Sequence, residues 1–89
     1  MAGTRIAARW PAGQRLRHAR GLRGLTQFGL VDVVAALGAT IARTTIARIE
    51  TGQVDPDLDT VWILSQALGV DFAWLAGARA GEPELRETA

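Results

Sequence analysis

Thr26–Gly52 reads TQFGLVDVVAALGATIARTTIARIETG. It opens on Thr26, whose hydroxyl suits a helix N-cap. The capping box is incomplete, because the position three residues on is Gly29 rather than Glu or Gln. Phe28, Leu30, Val31, Val33, Val34, Ala35 and Leu37 then make the segment apolar almost all round. Val favours strands, so a buried strand competes. The length, and the run Ala35-Ala36-Leu37 ahead of Gly38, favour a helix. Phe28, Val31, Val34 and Leu37 are expected in the core. Gly38 to Ala42 reads as a turn. A further helix runs from about Arg43 to Glu50 or Thr51, with Ile46 and Ile49 inward, and Gly52 stops it.

Outward from this pair, the same helical spacing recurs. Upstream, Pro11 suits a first helical turn, and Leu16, Ala19 and either Leu22 or Arg23 follow it. Gly21 and Gly24 close that helix, and Trp10 is expected to cap its core. Downstream, Pro56 opens a helix with a stripe of Leu58, Val61, Trp62, Ser65 and Leu68, ended by Gly69. Asp71 caps a short last helix from Phe72 to Ala76, ended by Gly77. Residues 1–10 lack a clear period and read as an arm. Residues 78–89 read as a solvated, acidic, frayed tail. The expectation is an all-α fold of five short helices.

Composition narrows what such a fold does. With 89 residues there is room for one domain, and 48% hydrophobic content argues against disorder. The absence of Cys excludes disulfides and thiolate metal sites, and a lone His18 excludes a multi-histidine site. The longest apolar stretch, Phe28 to Ala42, carries Asp32 and is too short to span a bilayer. The Arg-rich first 31 residues lack acids, as presequences do, but they also lack Ser and run into the helical pattern. No nucleophile–base pair or phosphate-cradling Gly loop is visible, so neither an enzyme nor a cofactor or metal is expected. The net charge of +1 hides a split. Residues 1–48 hold eight Arg and one acid, whereas residues 49–89 hold two Arg and eight acids. One end is therefore suited to a polyanion. All ten basic residues are Arg, the better fork for phosphate and guanine, although an Ala/Gly/Arg-rich chain also fits a GC-rich coding sequence.

The helix from Arg43 exposes Arg43, Thr44, Ala47 and Arg48, while Ile46 and Ile49 anchor it. Two helices joined in this way can place the second in the DNA major groove while the first crosses the backbone. Arg43 and Arg48 are suited to guanine O6 and N7, and Thr44 to a phosphate or a thymine methyl. A solvated helix face is the plain alternative for the two arginines. For Arg15, Arg17 and Arg23 phosphate contact and a solvated face both stand, and so do groove-tracking and a functionally neutral terminus for Arg5 and Arg9. His18 reads as a surface residue.

These pieces, in this order, resemble the phage-repressor-like (Cro/C1-type, Xre-type) helix-turn-helix family. Arg15-Leu16-Arg17-His18-Ala19-Arg20 matches its first helix, and Leu25-Thr26-Gln27 opens its second. Thr45-Ile46-Ala47-Arg48-Ile49-Glu50-Thr51-Gly52, Pro56-Asp57-Leu58-Asp59-Thr60-Val61 and Ala67-Leu68-Gly69-Val70-Asp71-Phe72-Ala73-Trp74-Leu75 complete it. The resemblance covers about residues 13–77. It implies a compact, five-helix, lambda-repressor-like domain over residues 11–77. It also implies a bacterial or phage DNA-binding regulator, a repressor acting as a homodimer on a pseudo-palindromic operator in double-stranded DNA. Its place would be the cytoplasm, on the nucleoid. By position, Gln27 would contact phosphate or the first base pair. Arg43, Thr44 and Arg48 would read bases, with Ala47 on the same face and Thr45 nearer the backbone. Thr51 and the loop after Gly52 would offer N–H groups to phosphate. Arg20 and Glu50 would form the family's buried, structural ion pair.

Two features depart from the family pattern. Gln27 to Glu50 is 23 residues, several more than is usual, so either the second helix is extended or the turn is enlarged. Position 42, often a Ser cap, is Ala, which makes Thr40 the alternative cap. Trp62 and Ile63 cannot both point inward, so an exposed apolar patch with Trp74 is expected, fit for a dimer interface. The alternative function is a protein-binding module such as an antitoxin, with the apolar second helix and the tail engaging a partner protein. Exposure of the Val33–Ala42 surface would favour it. With no sensor domain expected, regulation would come from concentration, proteolysis or a second regulatory protein.

Overall fold

The computed structural model describes residues 12–87. The expected arm, with Arg5 and Arg9, and Trp10 and Pro11 lie outside the described residues. Five helices follow one another: α1 (Ala12–Leu22), α2 (Gln27–Ala36), α3 (Arg43–Glu50), α4 (Leu58–Leu68) and α5 (Phe72–Leu75). No β-strand occurs among the described residues.

Local chemistry explains most of the boundaries. The Thr26 hydroxyl accepts from the Gly29 N–H at 2.9 Å, and Asp57 Oδ1 accepts from the Thr60 N–H at 2.8 Å. Asp71 Oδ2 accepts from the Trp74 N–H at 2.9 Å. Each cap satisfies a helix donor that has no partner within the helix. Gly69 ends α4 in the left-handed region, at φ 66°, where a Cβ would be strained.

The core draws on every helix. Leu16 and Ala19 of α1, Leu30 and Val34 of α2, Ile46 and Ile49 of α3, Val61, Leu64 and Leu68 of α4 and Leu75 of α5 are buried. Two residues expected in this core lie outside it. Phe28 is 67% exposed and Leu37 is 51% exposed. A ten-residue helix packed on α3 and α4 buries one stripe. Leu30 and Val34, four residues apart, form that stripe, with Val31 and Val33 half-buried on its flanks. Phe28 falls on the far side, and Leu37 lies just past the last turn. Leu22 is also turned out, which leaves the inward role at the end of α1 to the half-buried Arg23.

About half of the surplus residues between Gln27 and Glu50 go into the connection. Residues 37–42 join α2 to α3, where a helix-turn-helix uses about three or four. The chain leaves α2 through Gly38 at φ 89°, and the Ala39 N–H returns to the Val34 carbonyl at 3.3 Å. Ala39 and Ile41 pack against the core, so the enlarged turn is anchored. Thr40 does not cap α3. The N-cap is Ala42, with no side-chain hydrogen bond.

The C-terminal segment folds back instead of fraying as expected. The Arg86 N–H donates to the Gly69 carbonyl at 2.7 Å, and its guanidinium donates to the Val70 carbonyl at 2.7 Å. Trp74 Nε1 donates to Gly81 O at 2.7 Å, and His18 Nε2 meets Glu82 Oε1 at 2.8 Å. Arg15 reaches Trp74 O at 2.6 Å and Arg79 O at 2.7 Å. Arg23 reaches Leu68 O at 2.6 Å, and also bonds Arg86 O. The attraction is electrostatic, because carbonyls at helix C-termini lack helical partners and carry negative partial charge. Arg15 and Arg23, read from sequence as phosphate contacts or a solvated face, are thus spent inside the molecule.

Gly13 marks a close approach that periodicity does not show. A Cβ there would lie 2.5 Å from the Glu50 carbonyl oxygen and 2.6 Å from that of Ile49. Backbone atoms cannot rotate away, so Gly13→Ala must separate α1 from the end of α3. We expect a net loss of about 1–3 kcal/mol, as for overpacked cores. Urea unfolding measures it, and an unchanged midpoint would show that α1 shifts freely.

Candidate nucleic-acid interface

Helix α3 is held by its apolar side and offers a polar one. Ile46 and Ile49 are buried, Thr44, Arg48 and Thr51 are exposed, and Arg43, Thr45 and Ala47 are half-buried. The Arg48 guanidinium has no hydrogen bond or ion pair among the described residues.

Behind this face lies a chain of polar contacts. Arg20 Nε donates to Glu50 Oε2 at 2.7 Å and Arg20 Nη2 to Glu50 Oε1 at 3.0 Å. The two side chains are 17% and 4% exposed. The hydrogen bond to Glu50 raises the Arg20 pKa above its ordinary value, against the opposing effect of burial. Arg20 Nη1 also donates to the Leu25 carbonyl at 2.8 Å, fixing the α1–α2 link. Gln27 Nε2 donates to Glu50 Oε1 at 3.1 Å. That bond sets the amide orientation, because a carboxylate only accepts. Gln27 Oε1 is left to accept from Arg43 Nη1 at 3.1 Å. The Arg43 Cζ also sits 5.2 Å from the centroid of the Phe28 ring, within cation–π range. The first residue of α3 is therefore tied to the first residues of α2, and through Glu50 to α1.

At the other end of α3, Thr51 turns back on its own helix. Its hydroxyl donates to the Ala47 carbonyl at 3.1 Å and accepts from Gln53 Nε2 at 3.0 Å. The N–H groups of Thr51, Gly52, Gln53 and Val54 are all bonded to carbonyls of α3. The expected offer of these backbone donors to phosphate is corrected: the helix end has already satisfied them. What this end presents is side chains.

The placement of the other expected groups is uneven. Trp62 is 52% exposed and meets Phe72 edge-on at 5.8 Å, and Ile63 is half-buried. Trp74 is 4% exposed, so it cannot belong to a surface patch. Its indole is taken by Gly81 and its ring by the Arg15 guanidinium. Sequence reasoning placed Gln27 and Arg43 on the interface but missed their bond, and it missed Phe28 as a partner of Arg43.

The helix-turn-helix family model matches residues 16–75. This chain belongs to the Cro/C1-type helix-turn-helix family. The match spans all of α2, α3, α4 and α5, together with the Arg20–Glu50 pair. It marks this helix-turn-helix chain as a DNA-binding regulator. No curated protein matches it. No helix among the described residues is long and apolar enough to cross a membrane.

Proposed function

We propose that this helix-turn-helix protein is a sequence-specific repressor that occludes a pseudo-palindromic operator as a homodimer. The supporting observation is the α3 face. An exposed Arg48 and a positioned Arg43 stand on a helix whose opposite side is locked into the core. In this family of geometries the N-terminal residues of such a helix enter the major groove. Arg43, Thr44 and Arg48 read bases, Ala47 lies against them, and Thr45, Thr51 and Gln27 lie towards the backbone. Arg17 is exposed and adds to the salt-dependent phosphate attraction. The site of action is the nucleoid in the cytoplasm.

The dimer reading rests on Trp62. A Trp half in water beside Phe72 and the exposed Leu58 forms an apolar surface of the kind that marks association. A two-fold dimer would match a palindromic site.

A selection from randomised duplexes, repeated at two salt concentrations, tests the proposal. An enriched palindrome is the expected result. Arg48→Ala should then weaken binding to that site by about 1–3 kcal/mol and relax preference at one base position. Equal weakening on all sequences would make Arg48 a phosphate contact.

One observation favours a second reading, a module for a protein partner. Asp32, Ala35, Ala36, Leu37 and Thr40 are exposed, and a groove opens between Val33, Leu37, Ala67 and the Arg86 segment. Salt-sensitive binding with no enriched motif would support that reading over the first.

A further inference from the structure

Phe28 is the residue that the fold leaves unexplained. It is the most exposed large apolar side chain among the described residues, at 67%. It occupies the second position of α2 and is not part of the buried core. Among the described residues its ring partner is the Arg43 guanidinium, 5.2 Å from the centroid. Gln27 Oε1 holds the same guanidinium from another side, at 3.1 Å. An exposed Phe adds no stability by burial and invites aggregation, so its placement beside the leading arginine of α3 calls for a contact in the complex.

We infer that Phe28 is a DNA-contact residue: its ring packs on the C5-methyl group of a thymine adjacent to the guanine that Arg43 reads. The inference rests on the proposed docking of α3. The chemistry is complementary. Arg43 spends one donor on Gln27 and keeps the others of its five N–H groups. A cation over a ring face leaves in-plane N–H groups free for guanine O6 and N7. The remaining ring surface is apolar, and the thymine methyl is the apolar group of the major groove. The same ring limits the swing of the Arg43 side chain, so Phe28 also acts as a positioning residue for guanine readout.

The test uses the full chain and the duplex obtained by selection. Arg43→Ala first identifies the guanine, as the base whose preference it relaxes. Each neighbouring thymine is then replaced by deoxyuridine, which removes the methyl alone. The wild-type protein should lose about four-fold in affinity at one of these thymines, the value of one buried methyl-sized group. Phe28→Ala should bind thymine and uracil duplexes equally and show a weakened guanine preference. Because Phe28 is exposed, the variant is expected to melt with the wild type, which a thermal scan checks. A selected site at which the wild type is indifferent to every thymine-to-uracil change overturns the inference alone. If the wild type selects no site, the docking proposal fails and the inference with it.

Discussion

Glu50→Ala should lower the free energy of unfolding by about 3–5 kcal/mol, the range for removing one partner of a buried ion pair. The Glu50 side chain is 4% exposed and accepts three hydrogen bonds, two from Arg20 and one from Gln27. Its loss leaves the Arg20 guanidinium, itself 17% exposed, with only the Leu25 carbonyl among the described residues. Small domains have about 5–15 kcal/mol of stability in total, so the variant should lose a large fraction of it. Urea titration reads the effect directly. The doubly apolar variant Arg20→Met with Glu50→Leu separates the pair's net value from the penalty of an orphaned charge. It should recover most of the loss, because buried pairs are often replaceable by packed apolar groups. A Glu50→Ala protein with wild-type stability would mean that water reaches Arg20 freely.

The functional consequence differs from the structural one. In the doubly apolar variant Gln27 has no carboxylate to orient it, and the amide can present either end to Arg43. Guanine readout through Arg43 should loosen even where folding is restored. The buried pair therefore connects two levels: it joins α1 to α3, and it fixes the direction of the amide that holds Arg43.

Much of this was legible in the sequence, because it depends on short-range chemistry. Thr26 and Asp71 cap the helices they precede, and Gly69 stops α4, whereas α4 begins at Leu58 with Asp57 as its cap and not at Pro56 as expected. Ile46 and Ile49 are inward because their three-residue spacing lies on one helix face. The rest needed tertiary structure. Periodicity treats Phe28 and Val34 alike, and only the positions of α3 and α4 decide which is covered. The extra residues between Gln27 and Glu50 fit a longer helix or a longer turn equally well until Ala39 and Ile41 find the core. Arg15 and Arg23 look like their neighbour Arg17, but carbonyls more than forty residues away claim them. The basic half of the chain therefore overstates the charge available to DNA. Gly13 carries no local signal, because its requirement comes from the backbone of Glu50.

The double variant Arg43→Ala with Arg48→Ala should abolish sequence discrimination while leaving the fold intact. Neither side chain is buried, and Ile46 and Ile49 still dock α3. Each bidentate guanine contact contributes about 1–3 kcal/mol of discrimination. The two positions are separated by roughly 7.5 Å along the helix axis, at about 1.5 Å per residue, far enough for their effects to add approximately. The expected loss is about 2–6 kcal/mol per half-site, against a specific-over-nonspecific margin of about 4–10 kcal/mol for typical regulators. Titrations with the selected duplex and a scrambled one, at two salt concentrations, should converge towards one affinity. What remains is the phosphate attraction, whose salt slope should change little if both arginines contact bases. A slope shallower by about one for each lost charge, with equal weakening on both duplexes, would instead make them phosphate clamps. Retained discrimination would remove α3 as the reading element. Because the Arg48 guanidinium has no partner among the described residues and Arg43 is already held, the two single variants should also differ. On the proposed docking, Arg48→Ala should remove a contact made with DNA and no bond of the fold. Arg43→Ala additionally leaves Gln27 Oε1 without its Arg43 donor and removes the guanidinium from the Phe28 ring, so its effect should extend to the neighbouring base step.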